Sequence, residues 1–349
     1  MVLPPSTSSA SRLIQANTNT TAARFNRKII RALQAKLKTD PEVDLSTLLK
    51  ANYSEQLRSF KAPNFDATDP STVVCELSIE LKQLLEDEDG DDLSRAIVDL
   101  LARSEVLYRS AWAASSKVYR VSDQVVVKIT DERYAVTEHS SLLYLQEHLP
   151  SFPAPRSHGV VRIGIFCLLS TTFVTGLDLE KAWPQLGDIQ KHSISGQLDA
   201  LFSQLRSLPF PENMPLGGVQ GEGCKDGRRG LRVNSEPIMN VKQFDEWIFT
   251  GSKTASPVYT RLLRSLVPAT IPTCVFTHGD IRSANIMVDK QEDGTWKVIA
   301  VIDWAASGFY PAYWESVKAT MTPRDDFDCH CSTRWLVDRL WDRNMENSS

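Results

Sequence analysis

The chain lacks most of the features that would classify it at once. Six cysteines in 349 residues, at positions 75, 167, 224, 274, 329 and 331, are too sparse for a disulfide scaffold. Cys329 and Cys331 flank His330, but this is not a zinc spacing and no second ligand pair follows. Ordinary thiols in a reducing compartment are expected. No apolar run approaches the ~18 residues of a membrane span. The start, MVLPPSTSSASRLIQ, lacks the apolar core of a secretory signal. Arg12, Arg24 and Arg27 among Ser, Thr and Ala permit a mitochondrial-presequence reading, but a cytoplasmic location is the expectation. Without secretion, the sequons at Asn19, Asn52 and Asn347 carry no meaning. A basic surplus is also missing: the formal net charge of -4 argues against a nucleic-acid partner and better suits a cationic or neutral small substrate. No GxxxxGK(S/T) phosphate loop occurs, and no Ser, His and Asp set appears at a hydrolase motif.

What the chain has is length enough for two domains or lobes, with 42% apolar and 23% charged residues, the make-up of a globular protein. Ser, Thr, Asn and Pro dominate residues 1–21 and predict disorder. Residues 22–104 read as a helical N-terminal extension interrupted by a linker, KAPNFDATDPST, with the acidic run Glu86 to Asp92 as a solvated loop. After Ser110 the texture changes. Lys117–Val121 and Val125–Ile129 read as a hairpin, and Glu132–Leu149 as a helix by its apolar period. GVVRIGIFCLLSTTF supplies two more strands, so a five-stranded sheet with one helix is expected up to Phe173. A crossing into a second lobe is expected near Val174–Leu179, followed by an amphipathic helix over Ile189–Leu208. Residues 214–237, which include LGGVQGEGCKDGRRGLRVNSEP, read as an irregular surface loop near the substrate.

The polar residues that stand out lie in Phe276–Trp304, FTHGDIRSANIMVDKQEDGTWKVIAVIDW. Two strands, Asn285–Val288 and Trp296–Ile302, joined by a turn at Asp-Gly, would bring Asn285 and Asp303 to one end of a small sheet. Asp280 to Asn285 has the D-x-x-x-x-N spacing of kinase catalytic loops, and Asp303 follows 23 residues after Asp280. In that pattern Asp280 takes a proton from a substrate hydroxyl, while Asn285 and Asp303 hold magnesium. Lys128 lies on a strand with Glu138 ten residues on in a helix, the spacing at which an ion pair holds a lysine against phosphate oxygens. Taken alone, Lys128 reads more readily as a surface lysine on an alternating strand. His278 is expected to fix the loop by hydrogen bonds rather than to act as base. Arg282 either touches the γ-phosphate or lies in solvent. Asp325, Asp326 and Asp328 either attract a cationic substrate or form an exposed charged turn.

HGDIRSANIMV with VIDW resembles the aminoglycoside phosphotransferase or choline-kinase-like superfamily. VVVKI, TEHSSLLYLQEHLPSFPAPR and TTFVTGLDLEKAWPQL are similar to its lysine strand, glutamate helix and hinge, and FYPAYWES to a segment of fungal members. The resemblance implies an α+β, bilobal protein-kinase-like fold: a small N-lobe of antiparallel sheet and helix over 105–173, and a larger, mostly helical C-lobe over 174–349. It implies ATP- and Mg2+-dependent phosphate transfer to a hydroxyl of a small molecule. Lys128, Glu138, Ser115, Ser116, Thr171, Phe173 and Arg282 would serve the nucleotide, with adenine against the backbone near Thr171–Val174. The loop before the first strand, AWAASSK, departs from the pattern by having no glycine. That departure leaves an inactive, nucleotide-binding or interaction module as the alternative. The acceptor and the oligomeric state are not specified.

Overall fold

The computed structural model describes residues 21–49, 53, 57, 67–86, 92–109, 116–226, 232–250, 256, 258, 260–262 and 273–320. Ser115 and most of the AWAASSK loop, residues 1–20, most of the acidic run, the Cys-His-Cys segment, Asp325, Asp326, Asp328, Trp335 and Trp341 lie outside the described residues. The chain forms two compact units, one of residues 1–64 with 110–115, the other of residues 65–109 with 116–349.

In the first unit, helix α1 (Thr21–Thr39) ends with Lys36 and Lys38 in its last turn, where cations complement the helix dipole. A short α2 (Leu45–Leu48) is capped by Asp44, whose carboxylate accepts the Ser46 N–H at 2.9 Å. Phe25 stacks on Tyr53 at 5.7 Å, and the Tyr53 hydroxyl donates to Asn26 at 2.8 Å.

The second unit begins with β1 (Ser71–Cys75), α3 (Ile79–Glu86), α4 (Leu93–Ala102) and β2 (Glu105–Arg109), then β3 (Lys117–Arg120), β4 (Val125–Thr130), α5 (Glu132–His148), β5 (Ser157–Ile163) and β6 (Phe166–Thr172). The six strands form one antiparallel sheet in the order β1-β5-β6-β4-β3-β2. This corrects the expected five-stranded sheet. Residues 22–104 are also not helical throughout, since Ser71–Cys75 pairs with β5 from Ser71 opposite Ile163 to Cys75 opposite Val160.

Strand alternation decides what each face of this sheet meets. On β4, Val127 and Ile129 turn to one face and pack with Val161, Ile163 and Leu168 beneath α3 and α4, against Leu81, Leu85, Ile97 and Leu100. Lys128 therefore turns to the other face, opposite Leu169 on β6, where Ala135 of α5 packs with Val160 and Cys167. Asp131 starts α5 by accepting the Arg133 N–H at 3.0 Å.

The chain continues through β7 (Leu177–Asp178), α6 (Leu179–Ala182), α7 (Asp188–Arg206), β8 (Lys225–Asp226), β9 (Arg232–Val233), α8 (Val241–Thr250), β10 (Cys274–Thr277), β11 (Ile286–Lys290), β12 (Trp296–Val301), β13 (Gly308–Pro311) and α9 (Trp314–Thr320). The expected hairpin is β11–β12, joined at its edge by β7, and β10 pairs with β13. Around them Leu198 and Leu205 of α7 pack with Phe276, Ile281, Val288, Trp304 and Phe309.

Part of the glycine-rich stretch differs from the irregular surface loop expected. Leu216, Cys224, Lys225 and Asp226 are buried, and β8 pairs with β9. Among the described residues no helix is long and apolar enough to cross a membrane, and Cys75, Cys167, Cys224 and Cys274 are free thiols. Because α3 and α4 complete the core of the sheet, Leu100→Ala should destabilise the protein by about 2–5 kcal/mol in denaturant unfolding. A change under about 0.5 kcal/mol would show that these helices are a detachable arm.

Candidate active site

The two polar clusters meet between the two small sheets of the C-terminal half. One follows β10, where the chain leaves Thr277 and turns through His278, Gly279 and Asp280; the other follows β12. The Ile302 N–H donates to the Asn285 carbonyl at 2.9 Å, and the Ile302 carbonyl accepts from His278 Nε2 at 3.0 Å. His278 Nδ1 in turn accepts the Asp280 N–H at 3.2 Å. His278 is fully buried, with its ring edge-on to Trp304, and burial lowers its pKa and keeps the imidazole neutral. Both ring nitrogens are thereby engaged in one donor and one acceptor bond, the role of a loop-fixing residue.

Gly279 has φ of +77°, and a Cβ there would sit 2.3 Å from the Ala306 carbonyl oxygen, so only glycine fits between His278 and Asp280. The sequence reading missed the partner of this turn. Glu315 of α9 is buried and accepts the His278 N–H at 2.6 Å and the Gly279 N–H at 3.0 Å. Burial pushes its carboxyl upward, against the opposing pull of His278 and the two N–H donors. The only sequence signal was its place in FYPAYWES.

Lys128 reaches across from β4. Its ammonium lies 2.8 Å from Glu138 Oε2 on α5 and 2.5 Å from Asp303 Oδ1. Burial alone would lower the Lys128 pKa, but Asp303 and Glu138 together raise it, so the lysine stays charged. The second oxygen of Glu138 accepts the Trp304 N–H at 3.3 Å, which ties α5 to the residue after Asp303. Asp303 itself has φ of +68°, a left-handed conformation that non-glycine residues adopt at a cost.

Asn285 donates its amide to the Asp280 carbonyl at 2.8 Å and to Asp280 Oδ2 at 3.2 Å. Arg282 spans the two aspartates, with Nε 3.5 Å from Asp280 Oδ2 and a terminal nitrogen 3.9 Å from Asp303 Oδ2. Its Nε is buried and, among the described residues, makes this ion pair without a hydrogen bond. The two aspartates are pushed apart in acidity. Burial, then the Asp303 charge, raises the Asp280 pKa. Burial also acts to raise Asp303, but the Lys128 charge and hydrogen bond, with Arg282, bring it below the usual range.

The structure thus gathers Lys128, Glu138, Asp280, Arg282, Asn285 and Asp303. It does not gather every candidate. Ser116 is half-buried just before β3 and makes none of these contacts. Thr171 is a buried β6 residue opposite Val126 and Ser157. The Phe173 N–H donates to the Gln124 carbonyl at 2.7 Å and its ring lies under the Arg120 guanidinium, so that backbone donor is already engaged.

A family model described as "Phosphotransferase enzyme family" matches residues 109–344. No curated protein matches the chain. Among solved structures, a streptomycin–ATP ternary complex of the aminoglycoside phosphotransferase APH(2")-IIa shares 12% identity, covering 78% of this chain and 84% of that one, with a TM-score of 0.47. A thermostable APH(4)-Ia mutant in ternary complex with AMP-PNP and hygromycin B shares 14% identity over 76% and 84% of the two chains, with a TM-score of 0.46. The APH(3'')-Id enzyme from Streptomyces rimosus, in complex with ADP and streptomycin, shares 17% identity over 75% and 90%, with a TM-score of 0.38. These are remote likenesses.

Glu315→Gln should destabilise the protein by about 1–3 kcal/mol, because the amide sets an N–H2 donor against the buried backbone donors. Unaltered denaturant unfolding would remove Glu315 from its place as anchor of the turn.

Proposed function

Because the chain belongs to the phosphotransferase enzyme family, we propose that it moves the γ-phosphate of ATP to a hydroxyl of a small molecule, with magnesium as the metal. The observation that carries this reading is Lys128 held between Glu138 and Asp303, with Asp280 and Arg282 beside the same carboxylate. In this reading residues 105–173 serve the nucleotide and residues 174–349 the acceptor. The likeness of FYPAYWES to fungal members is part of the same proposal, as is a cytoplasmic location.

The residues present fit both groups. Among the described residues no cluster of three or more His, Cys, Asp or Glu gathers to hold a metal by itself. Magnesium instead suits a pair of oxygen donors completed by phosphate oxygens and water, and the Asp303 carboxylate with the Asn285 amide oxygen supplies such a pair. The Arg282 guanidinium and the Lys128 ammonium are donors of the kind that phosphate oxygens accept. When bound, the metal neutralises charge on the phosphate oxygens.

Asp280 accepts the proton of the acceptor hydroxyl as its oxygen forms a bond to the γ-phosphorus and the bond to the bridging oxygen of ADP breaks. Its raised pKa makes it a better base than an ordinary aspartate, and Asn285 holds the carboxylate by its amide. Arg282 and Lys128 hold the transferring and neighbouring phosphates. Asp303, kept ionised by Lys128, holds the metal.

Asp280→Ala should cut turnover by roughly 100-fold or more while nucleotide affinity, read by titration calorimetry, changes little. Retained turnover would remove Asp280 as base. Since the base must be ionised and burial raises its pKa, kcat/KM should fall on the acid side at a pH above the ~3.9 of an unperturbed aspartate. An acid limb at or below that value would contradict the assignment. Asp303→Ala should abolish the magnesium dependence of nucleotide binding, and unchanged dependence would count against it. A screen of amino alcohols, aminoglycosides, sugars and amino acids, read by ATP consumption and product mass, identifies the acceptor.

A further inference from the structure

The glycine-rich segment has no part in the proposed chemistry, yet it carries a buried lysine. Lys225 donates from Nζ to the Arg133 carbonyl at 2.5 Å and to the Thr137 hydroxyl, both on α5. That hydroxyl donates to Glu222 Oε1 at 2.9 Å, so the segment grips α5 at two adjoining points. The next residue on α5 after Thr137 is Glu138.

The same segment is also anchored on β13. Gly217 exchanges two backbone hydrogen bonds with Phe309, each of 2.8 Å, and the Lys225 N–H donates to the buried Tyr310 hydroxyl at 3.2 Å. A Cβ on Gly217, where φ is +116°, would lie 2.2 Å from the Gly223 carbonyl, so this glycine serves close backbone packing rather than a phosphate. Glu222 is also held by its own turn, through the Gln220 N–H at 2.9 Å.

We propose that Lys225 is a positioning residue: it fastens α5 to the segment that packs on β13, and so sets Glu138 where Lys128 and the Trp304 N–H require it. The proposal rests on the nucleotide reading of Lys128. A side chain with four rotatable bonds is not buried against a helix without strong partners, and here a carbonyl, a hydroxyl and a nearby carboxylate supply them. Asp131, Arg133 and Tyr134 face Lys225 from α5, and Cys224 and Asp226 flank it in the chain. Burial brings its pKa down to about 8, against the pull of Glu222 and Asp131. Burial also holds Tyr134, Cys224 and Tyr310 above their ordinary ranges, which leaves the lysine to titrate near pH 8. Because the buried seat lowers the lysine pKa, the seated amine holds its proton less tightly than a released one, and raising the pH through about 8 favours the seated form.

The test titrates the full-length protein with magnesium and a non-hydrolysable ATP analogue. Lys225→Met should weaken binding by roughly fivefold or more, and Glu138→Gln should weaken it too. In the double variant the lysine change should add less than about twofold, because it acts through Glu138. Wild-type affinity should hold or rise as pH rises through about 8, and any rise should be absent from Lys225→Met. Additive effects, wild-type affinity in Lys225→Met, or a wild-type fall through pH 8 that Lys225→Met lacks would overturn the proposal. Absence of binding by the wild type would instead overturn the nucleotide reading, and hydrogen exchange then decides the positioning claim. Lys225→Met should speed exchange across Glu132–His148 and leave the Ile286–Val301 hairpin unchanged; unaltered protection of α5 would overturn it. If Lys225→Met fails to fold, Thr137→Val and Glu222→Gln should each speed exchange in α5, and unchanged rates in both would be fatal.

Discussion

A lysine ammonium set on the inner face of a sheet must find anions there, and that requirement organises the second unit. Val127 and Ile129 place their side chains under α3 and α4, so Lys128 has no route to that apolar face. It meets Glu138 from α5 and Asp303 from beyond β12 instead. Removing either carboxylate would leave charge unpaired where desolvation is costly, so both elements are bound to their positions. The same contact spans 175 residues of sequence, which makes it a long-range constraint and not a local one.

The parts of this arrangement legible in the sequence were those written as local pattern. The β-branched run VVVKI marked the strand of Lys128, and the Asp-Gly turn the β11–β12 hairpin. The spacing of Asp280 and Asn285 marks the catalytic-loop pattern, and the Asn285 amide lies 3.2 Å from the Asp280 carboxylate. What was missed has a different physical basis. The β1 strand, STVVC, is short and carries no apolar alternation, because as an edge strand it is half-exposed on both faces. Glu315 was missed because its partners are the backbone N–H groups of His278 and Gly279, and every residue carries such a donor.

The glycines of residues 214–226 show how one residue type serves opposite purposes. Glycine signals a loop because it tolerates any backbone conformation. The property used here is its lack of volume. Gly217 and Gly308 approach so closely that a Cβ on Gly308 would lie 2.1 Å from the Gly217 oxygen. The segment can thereby lie against β13 and still send Lys225 and Glu222 to α5.

The two aspartates then acquire different characters from this one framework. Lys128 touches Asp303 directly and brings its carboxyl below the usual range, whereas Asp280 has no such contact and responds chiefly to burial. Arg282 lies near both and distinguishes neither. The difference therefore originates in the placement of Lys128, which depends on Glu138 and so on the seating of α5. In the proposed reaction a proton acceptor and a metal-holding carboxylate are needed a short distance apart. Opposite shifts of two identical side chains meet that need, and the element that sets them is a lysine from the other half of the unit.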